Sequence, residues 1–156
     1  MNWDAISTIA EVVAASGVIL SLIYLAKQIK SQIQESRLSA AHEIASGFRE
    51  MLKPFIDPAF AELFVRANSD FDGLTEAERI QVISVQQTNI RLWEEAFYQY
   101  QGGRLDETIW NTMVNQYSSY IAIESFKRVW DLRKASYNRE FVEFVESLKQ
   151  VEYKTK

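Results

Sequence analysis

The sequence predicts an all-α protein in which an N-terminal transmembrane helix continues into a helical bundle on the cytoplasmic side. Three observations predict it. Residues 5–26, AISTIAEVVAASGVILSLIYLA, carry a single charge, Glu11. Beyond them, apolar residues recur at helical intervals, and no convincing strand alternation appears anywhere. Lys and Arg are absent before residue 27 and frequent after it.

The first segment is 22 residues long, which as a helix extends about 33 Å, enough to cross a hydrocarbon core. Its ten Leu, Ile and Val side chains contribute roughly −3 to −6 kcal/mol to insertion, against a cost for Glu11 somewhat below the ~3 kcal/mol of a central carboxylate. Trp3 and Tyr24 stand roughly 32 Å apart along such a helix, which sets their rings at the two headgroup levels. Lys27, Lys30 and Arg37 follow the run, so the short N-terminus is expected outside and the rest in the cytoplasm. A cleavable signal peptide has the opposite order of charge, so the segment is expected to be retained. The competing reading is the buried core helix of a soluble protein, since Ser7, Thr8, Glu11, Ser16 and Ser21 dilute the run.

One face of this helix is small: Ser7, Ala10, Ala14, Gly17 and Ser21 follow one another at spacings of three and four. Small residues let helix backbones approach closely in a membrane, which makes this face a packing surface as well as part of an anchor. Glu11 lies about 9 Å inside the run and beside that face. It either pairs with a neighbouring helix or snorkels to the headgroups.

Residues 27–53 contain Gly47 as their only Gly or Pro, and Ile29, Ile33, Ala40, Ile44, Phe48 and Met51 recur at helical spacing. The anchor, residues 1–26, is therefore expected to run on as the first helix of a bundle domain, residues 27–156. Pro54 and Pro58 stop that helix, and Asp57 with Pro58 is a cap and first-turn pair for the next. SDFDGL at 69–74 reads as a loop. Thr75 and Glu78 form a capping-box signature for a helix reaching about 101, where Gly102 and Gly103 end it. Asp106 caps a helix to about 122, with Leu105 and Trp110 placed as a hydrophobic staple. Two shorter helices, about 124–135 and 138–151, complete the chain.

Composition narrows the chemistry. An apolar share of 47% with 13% aromatic residues is that of a folding chain. The absence of cysteine excludes disulfides, thiolate catalysis and Cys-based zinc sites. The net charge is −4, with basic and acidic residues interleaved, so nucleic acid is not an expected partner. His42 is the single histidine and no Glu-x-x-His pair accompanies it, so neither a metal nor another cofactor is expected. Asp70-Phe-Asp72-Gly73 resembles a fragment of a calcium loop, but Gln81 stands where the bidentate Glu belongs, and the segment reads as a turn. Glu94 and Glu95 point about 100° apart on a helix and are not a pair facing one substrate. Trp93, Phe97, Tyr100, Trp110 and Trp130 are read first as core, and second as candidates for a partner surface or pocket.

WDAISTIAEVVAASGVILSLIYLAKQIKSQ, WEEAFYQYQGGRLDETIW, Trp130 and FVEFV together resemble a group of functionally uncharacterised bacterial single-pass membrane proteins of similar length, with an N-terminal apolar helix and an aromatic-rich helical domain. The resemblance covers most of the chain and implies a bacterial inner-membrane setting. Its shared pieces are structural, so it carries over no active site. The expected function is that of a membrane-anchored, non-enzymatic assembly or accessory subunit, meeting lipid and either itself or other membrane subunits. The alternative is a membrane-tethered enzyme or small-ligand-binding domain built on the aromatic half.

Overall fold

The computed structural model describes residues 2–152, the side chain of Ala5 excepted. Residue 1 and residues 153–156, the outer ends of the two predicted segments, lie outside the described residues. Among the described residues all regular structure is helical: α1 Trp3–Leu52, α2 Pro58–Ser69, α3 Glu76–Gln101, α4 Glu107–Tyr120, α5 Glu124–Arg133 and α6 Arg139–Ser147. Short 3-10 turns, Lys53–Ile56 and Lys134–Ser136, follow α1 and α5. The chain divides into two compact units between Leu38 and Ser39.

The first unit is the greater part of α1. Among its described side chains, every one from Trp3 to Glu35 is exposed. Its hydroxyls are nonetheless looked after locally: Thr8 Oγ1 donates to Asp4 O at 2.9 Å, and Ser16 Oγ to Val12 O at 2.8 Å. Such i−4 bonds satisfy a hydroxyl inside the helix's own ladder. They reduce the dilution that Thr8 and Ser16 bring to the apolar run.

In the second unit the helix ends follow from the sequence. Asp57 accepts from Ala59 N with Pro58 in the first turn of α2, where a missing N–H costs nothing. Thr75 and Glu78 close a reciprocal capping box on α3. Gly103 takes φ 69° after α3, a conformation that glycine adopts without strain. Asp106 and Asn138 cap α4 and α6 through Thr108 N and Glu140 N. Asp70 Oδ1 accepts from Gly73 N at 3.0 Å, so the SDFDGL segment is a turn closed by the Asp70 side chain.

The last helix is shorter than its apolar periodicity suggests. It stops at Ser147; Leu148 turns extended, and Val151 N donates to Ser118 O at 2.8 Å. A tertiary partner takes the backbone that the helix would have used. Similarly, Ala40, Ile44 and Met51 of α1 are buried, while Ile29 and Ile33 of the same predicted stripe are 49% exposed each.

The bundle core is aromatic. Trp93 lies against Tyr117 and Phe126, while Phe97 meets Trp110, Phe141 and Phe144. Tyr100 stacks on Trp110 with centroids 4.9 Å apart, and Phe126, Trp130 and Tyr137 form a stacked series. Each such pair adds about 0.5–1.5 kcal/mol beyond burial. The rings of α3, α4, α5 and α6 thus lock these helices into one core.

Candidate functional site

Two surfaces stand out from this fold, one in each unit. The first is the apolar run of α1. It is long and apolar enough to cross a membrane, and none of it is buried among the described residues. Ser7, Ala10, Glu11, Ala14, Gly17 and Ser21 are all exposed, and a Cβ built on Gly17 meets nothing within 4 Å. At the ends of the run Trp3 is 71% and Tyr24 64% exposed, with Lys27 and Lys30 exposed just beyond. Tyr24 Oη accepts from Gln28 Nε2 at 3.2 Å. The Glu11 carboxylate makes no hydrogen bond or ion pair among the described residues.

The predicted aromatics occupy a different environment. Trp93, Phe97, Trp110 and Trp130 are between 1% and 7% exposed and Tyr100 is half-buried, so the five rings pack the core. Burial pushes the Tyr117 phenol well above its ordinary range, and Tyr137 upward for the same reason. Arg91 lies 4.4 Å over the Tyr137 ring. Glu94 is held by polar partners. It pairs with Arg91 at 2.6 Å and accepts from Asn138 N at 2.9 Å, which ties the start of α6 to α3. Glu95 accepts from Gln99, and His42 is exposed. Among the described residues no group of three or more acidic or histidine side chains is placed to hold a metal ion.

The second surface is an open cleft of about 770 Å³ that the sequence reading missed. Met51 and Leu52 from the end of α1 line it, with Phe55 from the turn, Phe64, Val65 and Asn68 from α2, and Tyr120, Ile123 and Glu124 around the α4–α5 connection. Gln116 and Glu152 complete the rim. Asn68 is fixed by its carbonyl, which accepts from Ser125 N at 3.1 Å, and Ser125 Oγ in turn accepts from buried Gln86 Nε2 at 3.0 Å. The wall of the cleft is thereby tied to α3 through a short polar relay. A signal was present in the sequence: Leu52, Phe55, Ile56, Phe60, Phe64 and Val65 flank two prolines, more apolar side chains than two turns and a short helix can hide.

No protein family, curated protein or solved structure matches the chain.

Proposed function

We propose that the chain is a membrane-anchored, non-enzymatic assembly or accessory subunit, associating with itself or with other membrane proteins. One observation carries the reading: ten large aliphatic side chains between Ile6 and Leu25 are 48–67% exposed on one unbroken helix. Burying such a side chain is favourable by about 1.5–3 kcal/mol, so in water the run would forgo much of ~15–30 kcal/mol. A bilayer supplies that burial, and a helix satisfies its own backbone there. The back-bonded Thr8 and Ser16 hydroxyls fit the same solvent.

The basic residues follow the run, which supports a cytoplasmic bundle and a short N-terminus outside. A bacterial inner membrane is the setting that the proposed resemblance would imply. The small face gives neighbouring helices a route to close approach. Reporter fusions to the C-terminus should be active only in cytoplasmic formats, and the chain should resist carbonate extraction. A periplasmic signal or an extractable chain would refute the reading.

A membrane-tethered ligand-binding domain or enzyme is the second reading, and the 770 Å³ cleft favours it. Its place would be this cleft in preference to the aromatic half, whose rings pack against one another.

A further inference from the structure

We infer that the inner face of α3 binds ordered water inside the bundle, held by Gln86, Asn89, Trp93 and Tyr117. The inference depends neither on the membrane anchor nor on a partner. Gln86, Asn89 and Trp93 stand at i, i+3 and i+7, so they share one face of α3, within about 60° of one another on successive turns. All three, and Tyr117 from α4, are only 1–2% exposed. Gln86 Oε1, Asn89 Oδ1, Trp93 Nε1 and Tyr117 Oη nonetheless meet no hydrogen-bond partner among the described residues. A buried polar group left dry forfeits the bonds that it makes to water in the unfolded chain.

The four groups are neighbours, and their bonding capacities match. Trp93 packs on Tyr117 with ring centroids 3.6 Å apart and on Phe126 at 5.4 Å. Gln86 Nε2 donates to Ser125 Oγ at 3.0 Å, which brings its amide beside the residue that precedes Phe126. Asn89 lies between Gln86 and Trp93 along α3. Gln86 and Asn89 offer two acceptors, the Trp93 indole a donor, and the Tyr117 phenol a hydroxyl that can donate. One water, or a pair bonded to each other, complements that set, since water both gives and receives hydrogen bonds. No charged side chain belongs to the row, so an ion would find no counter-charge there. Gln99 Oε1 and Tyr137 Oη also lack a partner, but they adjoin exposed Glu43 and Glu95 and exposed Arg91 at the edge of the bundle. Tied to water at one place, α3 has a rotation in the bundle that an all-apolar face would specify less sharply.

The experiment uses the full chain in nanodiscs with isotope-labelled tryptophan, alongside Tyr117→Phe, which removes the hydroxyl and keeps the ring. The Trp93 indole N–H, assigned by the loss of its signal in Trp93→Phe, should show a long-lived nuclear Overhauser contact with water. That contact should persist in Tyr117→Phe, where no phenol proton can relay it. Tyr117→Phe should also lower the melting temperature by roughly 2–8 °C, the scale of one net hydrogen bond in a domain of this size. A dry hydroxyl predicts the opposite sign, because its removal would relieve a buried unpaired group. The inference would be overturned by the absence of a water contact in wild type, by a contact that vanishes with the phenol, or by a melting temperature that stays the same or rises.

Discussion

Val12 and Val13 are 60% and 65% exposed, while Val82 and Val129 are completely buried. The residue type is the same and the helical conformation is the same. What differs is the neighbourhood: Val82 and Val129 are enclosed by the bundle core, and along residues 6–25 the described side chains are exposed. A folded chain rarely leaves so large a continuous apolar surface to water. The two regions thus use the hydrophobic effect in different ways, one within the molecule and one toward its surroundings. If that contrast is sound, substitutions in the bundle should be read by its unfolding, and substitutions in the run by insertion and assembly.

The largest expected effect is Trp93→Ala. Trp93 is 1% exposed and contacts rings from α4 and α5. Truncating such a side chain costs about 3–5 kcal/mol, comparable with the whole stability of many small domains. Urea unfolding of the full chain in nanodiscs, followed by the remaining Trp fluorescence, should show the midpoint collapse. Val13→Ala should leave the same midpoint unmoved. A bundle that senses both changes would break the contrast.

Two glycines of one helix sharpen it. A Cβ at Gly47 would fall 2.4 Å from Leu92 Cδ1, inside the core, whereas at Gly17 it would meet nothing within 4 Å. Gly47→Leu should therefore overpack the α1–α3 contact and cost about 1–3 kcal/mol in the unfolding assay. Gly17→Leu should leave bundle unfolding and insertion intact but weaken association between membrane helices, because it thickens the small face. Crosslinking in membranes reads the second effect. An unchanged oligomer or complex would remove that face from the argument.

A smaller effect depends on acid. The Arg66 hydrogen bond, with Thr75 N and its hydroxyl, holds the Glu78 carboxyl down at about 2 from an ordinary 4.5. The folded value is depressed, so the contribution is complete above about pH 4.5 and is lost as pH falls toward 2. Wild type and Glu78→Gln should differ in melting temperature at pH 7 and converge by about pH 2. Parallel curves across that window would mean that the capping box is held by something other than this charge.

That capping box also shows which parts of the fold were legible in the sequence. Asp57-Pro58, Thr75-x-x-Glu78, Asp106 and the Gly102-Gly103 pair announce helix ends because a cap is a contact between residues two or three apart. Interactions that span the chain left no such trace. The end of α6 depends on Ser118, thirty-three residues from Val151, and periodicity alone carried that helix too far. Gln86, Asn89 and Gln99 are buried on α3, and nothing in the local pattern marks them. Gln86 and Gln99 find partners in Ser125, Glu43 and Glu95, which are unrelated to them by any local pattern except Glu95. The cleft was missed for the same reason: its walls come from α1, α2, α4, α5 and the turn after α1, and no single element reads as a pocket.

Glu11 should have no effect on the bundle at all, and for that reason it tests the contrast most directly. It is exposed within the apolar run, and Ala10 and Ala14 on the small face stand next to it and three positions on. A carboxylate there costs up to ~3 kcal/mol of insertion that Gln would reduce and Leu would remove. If Glu11 snorkels to the headgroups, Glu11→Gln should leave assembly untouched, and Glu11→Leu should only strengthen insertion. If it pairs with a polar or basic group on a neighbouring helix, both variants should insert at least as well as wild type, yet yield less of the assembled species. Insertion and assembly then move in opposite directions, which no change in bundle stability can mimic. We expect the second outcome, because a side chain bordering the face of closest approach sits where a partner helix would be. Quantitative crosslinking alongside a glycosylation-based insertion assay measures both, and full assembly in both variants would assign Glu11 to the headgroups.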